Sequence, residues 1–180
     1  MKLCKTAVAA ALSFACAAPA LRAEPPLRGG EHEIEAAAAV VDDTTEIAGV
    51  DVDTTAVTLS FRGGRFVTRN HELGLILGYA YGDSEGTRTR YGNAGVFYDF
   101  NLPGESRIVP LAGVAAQTLL GDVEGSAYEA SAGVRLFASD DVSFNWRVYY
   151  SVTDAEYDGF PGEVESRQVG MRVGFSWVFR

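Results

Sequence analysis

The sequence predicts an all-β fold, an eight-stranded antiparallel up-and-down transmembrane β-barrel, and three observations carry that prediction. In the last stretch Val169, Met171, Val173, Phe175, Trp177 and Phe179 are apolar, while Gly170, Arg172, Gly174 and Ser176 between them are small or polar. A strict period of two is a strand with one greasy and one wet face, and its terminal aromatics suit the headgroup boundary of a bilayer. Alternating segments of this kind recur eight times, separated by Gly/Asp-rich turns. No run of 18 apolar residues exists, so helical spans are excluded, and 20 glycines in 180 residues suit many strands and turns.

Residues 1–23 read as a secretory signal. Lys2 and Lys5 precede an apolar, Ala-rich run, and cleavage fits after Ala20 or after Ala23. Ser13-Phe14-Ala15-Cys16 lacks the Leu three residues before the Cys that a lipid-anchor box carries. A cut after Ala23 removes Lys2, Lys5, Arg22 and both cysteines, leaving 12 basic against 24 acidic residues, so the exported chain has no disulfide. The net charge of −9 before cleavage argues against nucleic acid as a partner.

Residues 24–30 form a short N-terminal segment, and the barrel occupies residues 31–180. Segment one, 31–41, places Ile34, Ala36, Ala38 and Val40 on one face. Segment two, 54–67, alternates Val57, Leu59 and Phe61 with Thr58, Ser60 and Arg62, and its Gly63-Gly64 pair signals a bulge or bend. Segment three, 71–82, sets Leu73, Leu75, Leu77, Tyr79 and Tyr81 against small residues and Ile76. In segment four, 89–100, Ala94, Val96, Tyr98 and Phe100 oppose Tyr91, Asn93, Gly95, Phe97 and Asp99. Segment five, 108–118, is apolar or small on both faces and its register stays open. Segment six, 126–138, sets Tyr128, Ala130, Ala132, Val134 and Leu136 against Glu129, Ser131, Gly133 and Arg135. Segment seven, 142–153, alternates Val142, Phe144, Trp146, Val148, Tyr150 and Val152 with Ser143, Asn145, Arg147, Tyr149, Ser151 and Thr153. The stretch that closes the chain is segment eight.

Short connections (68–70, 101–107, 139–141) alternate with long ones (42–53, 83–88, 119–125, 154–165), as short periplasmic turns alternate with outer loops. In strand count, spacing and loop alternation the sequence resembles the small eight-stranded outer-membrane barrels of Gram-negative bacteria, the family of the outer membrane protein A transmembrane domain and the opacity and adhesin-type barrels. Arg172, Gly174, Trp177 and Phe179 match the C-terminal pattern that members present to the barrel-assembly machinery, although Arg180 follows the final aromatic. Gly64 to Asn70 is similar to the family's first periplasmic turn.

By parity the interior carries Arg62, Arg135, Arg147 and Arg172 with Glu33, Glu35, Asp99 and Glu129, a set that predicts an internal salt-bridge network and a plugged lumen. The outer connections hold 14 of the 24 acids, including Asp42, Asp43, Glu46, Asp51 and Asp53 in the first, whose alternation predicts a protruding ribbon. Solvation is one reading of these acids; binding of divalent cations at lipopolysaccharide, or of a basic host or envelope partner, is the other. Two further readings are a narrow gated pore and a lipid A-modifying enzyme. The latter needs a base near its nucleophile, and the two histidines, His32 and His71, fall at the periplasmic ends of segments one and three. The expectation is therefore a monomeric, non-enzymatic barrel contacting membrane lipid and lipopolysaccharide, with no catalytic, cofactor or metal residues.

Overall fold

The computed structural model describes residues 27–47, 50–84, 87–103, 106–157 and 163–179. The signal, Glu85, Asp158 and Arg180 lie outside the described residues. Eight strands follow one another in chain order: β1 (His32–Ile47), β2 (Val50–Phe66), β3 (His71–Ser84), β4 (Thr87–Asn101), β5 (Ile108–Gly121), β6 (Val123–Phe137), β7 (Val142–Tyr157) and β8 (Glu163–Phe179). Each pairs antiparallel with its neighbours, and β8 pairs back onto β1, so the sheet closes. Where every strand is paired on both sides, closure leaves no edge with unpaired backbone groups, which a hydrocarbon environment would penalise by several kcal/mol each; the far ends of β2, β4 and β8 pair on one side only.

The alternation read from the sequence becomes inside and outside. Exposed positions include Leu75 (65 %), Val40 (62 %) and Phe61 (60 %), while Arg135 and Phe66 are fully buried. On the outer face of β7 and β8, Phe144, Phe175 and Trp177 meet edge to face, with centroids 5.6 and 5.7 Å apart. Segment five, ambiguous in the sequence, is settled by pairing. Val109, Leu111, Gln117 and Leu119 face inward, and Pro110, Ala112, Val114, Thr118 and Leu120 face outward.

The register also fixes the stagger of the barrel. Passing from His32 through Arg65, Leu73, Tyr98, Val114, Ala130, Tyr150 and Val169 returns to β1 at Asp42, an offset of ten residues. A row of paired residues therefore climbs from the short-turn end toward the other end as it circles the barrel.

Two expectations need correction. Gly63-Gly64 is not a bulge, since pairing runs through it one residue to one residue on both sides. A Cβ on Gly64 would instead strike the Glu72 carboxylate, so the glycine clears room for that side chain. The long connections are mostly strand, because a hairpin satisfies its backbone groups by pairing. β1 and β2 pair out to Ile47 opposite Val50, forming the ribbon, and β5 and β6 are separated by Asp122 alone. The end of the N-terminal segment, for which the sequence offered no burial cue, is part of the core: Leu27 is 3 % exposed and packs with Phe66, Val109, Phe137 and Val178.

Candidate functional site

From the short-turn end upward, the interior begins with that apolar plug. Gly30, at φ 93°, turns the chain so that its N–H donates to the Phe66 carbonyl (2.6 Å), while the Phe66 N–H donates to the Glu31 carbonyl (2.8 Å). The positive φ is easily reached only by glycine. Above the plug, the Arg135 guanidinium lies 5.4 Å from the Phe66 ring centroid.

Arg135 Nη2 contacts Glu33 Oε2 at 2.9 Å and Glu72 Oε2 at 3.1 Å, and its Nε donates to Asn145 Oδ1 at 3.2 Å. Asn145 in turn donates from Nδ2 to Glu35 Oε2 (2.5 Å) and to the Ser176 hydroxyl oxygen (3.2 Å). Next to it, Arg147 Nη2 reaches Asp99 Oδ2 at 2.9 Å and Glu35 Oε2 at 3.4 Å, and Arg62 Nη2 reaches Asp99 at 3.2 Å. The Arg62 guanidinium also covers the Phe97 ring, 3.7 Å from its centroid, a cation–π contact strengthened by exclusion of water.

A separate pair sits higher. Arg172 Nη1 and Nη2 donate to Glu129 Oε1 and Oε2 at 3.0 and 2.8 Å, the two-pronged geometry that a planar guanidinium and a carboxylate favour. Tyr149 lies beneath Arg172, its centroid 4.7 Å away. Nearby, Asn93 donates to Gln117 at 2.7 Å. Toward the outer end the interior turns apolar again, with Leu119, Val123, Ala127 and Ala155 packed against Tyr91.

All the arginines and acids assigned inward by parity thus lie inside, and each arginine meets an acid. They form a connected group on Arg62, Arg135 and Arg147 and an isolated pair on Arg172. Sequence reasoning missed Glu72, although it shares parity with Ile76 on the inner face of β3 and is 2 % exposed. Asn145, which links Arg135 to Glu35, was placed inward without a role. Room for the carboxylates comes from glycine as well: a Cβ on Gly113 would strike Asp99, as one on Gly64 would strike Glu72.

The four residues of the C-terminal pattern do not form one site. Arg172 and Gly174 face the lumen, whereas Trp177 and Phe179 face outward at 53 % and 45 % exposure. Both histidines stand at the short-turn end, His71 with Nδ1 2.7 Å from the Tyr98 hydroxyl. Among the described residues, no group of three or more His, Cys, Asp or Glu side chains is arranged to hold a metal ion.

No protein-family model and no curated protein sequence matches the chain. Solved structures do. The outer membrane protein OprG from Pseudomonas aeruginosa is similar at 13 % identity and a TM-score of 0.60, over 87 % of this chain and 99 % of that one. Neisserial surface protein A (NspA) is similar at 12 % identity and a TM-score of 0.65, over 83 % and 99 %. At these identities the likeness is one of architecture, and the chain has the fold of the small eight-stranded outer-membrane β-barrels.

Proposed function

We propose that the protein is a non-enzymatic barrel of the Gram-negative outer membrane, closed to ions, that serves envelope structure and surface interaction. The observation that carries this reading is the interior. Arg62, Arg135, Arg147 and Arg172 are each 5 % exposed or less, and each is held by carboxylates from other strands across the barrel. An ion passing through would have to break pairs whose partners are desolvated, and removing one partner of such a pair costs about 3–5 kcal/mol. An apolar layer closes each end of this polar stretch. Purified protein in planar bilayers is expected to give no steady single-channel current; sustained unitary conductance would replace this reading with that of a narrow pore.

The non-enzymatic part rests on the histidines. The chain has only His32 and His71, and both stand at the short-turn end, periplasmic in barrels of this fold, away from an outer-leaflet substrate. The surface part rests on charge, since the outer hairpins carry most of the acids. Hard divalent cations prefer such oxygen ligands. Calcium is expected to slow protease cleavage at the outer hairpins and raise the thermal midpoint; unchanged values for both would remove cation bridging from the reading.

A further inference from the structure

Part of the apolar outer face is hollow. A groove of about 670 Å³ crosses β3 to β7, lined by Leu73, Tyr98, Val114, Ala116, Ala130 and Tyr150 among others. The hollow has a steric cause: Ala116 and Ala130 are short side chains set among the taller rings of Tyr98, Tyr128 and Tyr150.

Its direction follows from the stagger of the sheet. Leu73, Tyr98, Val114, Ala130 and Tyr150 are successive members of one row of paired residues. Leu73 is the third residue of β3, whereas Tyr150 is the ninth of β7, so the groove climbs from the short-turn rim toward mid-membrane. Four strand spacings of about 4.8 Å make it about 19 Å long, against the roughly 15 Å that one leaflet's hydrocarbon spans.

The low end of this row is basic. Arg65, exposed on the outer face of β2, pairs with Leu73 on one side and with His32 on the other. Two residues below Leu73, His71 holds the hydroxyl of Tyr98, itself a wall of the groove. Among the described residues Arg65 makes no ion pair. An unpaired guanidinium at the headgroup level of an otherwise acidic chain, with an apolar channel rising from it, is complementary to a phosphate attached to an acyl chain.

We propose that this face holds one anionic phospholipid of the periplasmic leaflet, its phosphate at Arg65 beside His32 and His71, and one acyl chain along the groove from Leu73 to Tyr150. The inference rests on the membrane placement proposed above. Its test uses the full barrel and two lipids with identical chains, phosphatidylglycerol and phosphatidylcholine, with native mass spectrometry counting retained lipid.

The wild-type barrel is expected to retain one phosphatidylglycerol with about fivefold preference over phosphatidylcholine, the factor one basic side chain contributes near an anionic headgroup. Arg65→Gln is expected to abolish the preference while leaving chain retention. Ala116→Trp fills the groove and is expected to lose both lipids. Both substitutions lie on the outer face, and heat-modifiable gel mobility identifies folded barrel in each preparation.

Equal retention of the two lipids by wild type and Arg65→Gln, lipid retained undiminished by Ala116→Trp, lipopolysaccharide bound in preference to phosphatidylglycerol, or a dimer that displaces lipid would each overturn the site. Failure of the folded wild-type barrel to float with phosphatidylglycerol vesicles would overturn the membrane placement itself. Flotation without lipid selectivity removes the phospholipid site alone.

Discussion

Replacing Arg135 with Ala is expected to lower the free energy of unfolding by about 3–5 kcal/mol, the cost of leaving buried carboxylates without their cation. Arg135 is fully buried, and Glu33, Glu72 and Asn145 all converge on it from other strands. Its removal leaves two carboxylates at 2 % exposure with no counter-charge in contact among the described residues. The loss should largely disappear when the acids are neutralised as well: Arg135→Met combined with Glu33→Gln and Glu72→Gln is expected to recover most of it, because replacing a whole buried ion cluster by neutral side chains is often near neutral. Urea unfolding in lipid vesicles, followed by the fluorescence of Trp146 and Trp177, measures both. A loss below about 1 kcal/mol for the single substitution, within the range typical of exposed pairs, would mean that water reaches the cluster and that the interior is not dry.

Phe66→Ala is the second large effect expected, at about 3–5 kcal/mol, from lost burial and the cavity left behind. The ring is fully buried among Leu27, Val109, Phe137 and Val178, side chains from four different parts of the chain. Collapse into the gap is limited because each neighbour is held by its own strand or, for Leu27, by the hydrogen bonds between residues 30–31 and Phe66. Phe66→Leu keeps most of the volume and should cost less than about 1.5 kcal/mol. The same unfolding measurement reads the pair, and equal losses for Ala and Leu would show that the ring's cation–π contact with Arg135, not its volume, is what matters.

Much of this architecture is legible in the sequence, for a simple reason. In an antiparallel sheet with one face in lipid, side chains alternate with a period of two, and a slip of one residue would turn every greasy side chain inward. Val142 to Thr153 and Val169 to Phe179 therefore read unambiguously, and the inward arginines followed from parity. Where the cue was weak, so was the reading. Segment five, with Val109, Leu111, Val114 and Ala116 on both faces, offers no contrast between faces. Acids such as Asp42 and Asp43 looked like loop residues, being polar neighbours with no apolar partner in alternation, although their backbone is paired. Gly63-Gly64 looked like a bend because glycine is usually a backbone signal; here Gly64 answers a side chain, Glu72, on the next strand.

The sequence by itself determined the fold class, the number and polarity of the strands, the outward-facing apolar set and the inward position of Arg62, Arg135, Arg147 and Arg172, because these depend on local periodicity. Only the tertiary structure decided which acid each arginine meets, that Leu27 plugs the short-turn mouth, and that Arg65 stands at the foot of a climbing groove. Glu72 lies 63 residues from Arg135, and Glu35 lies 112 from Arg147. Such partners are brought together by the closure of the sheet and its ten-residue stagger, and no local pattern records that offset.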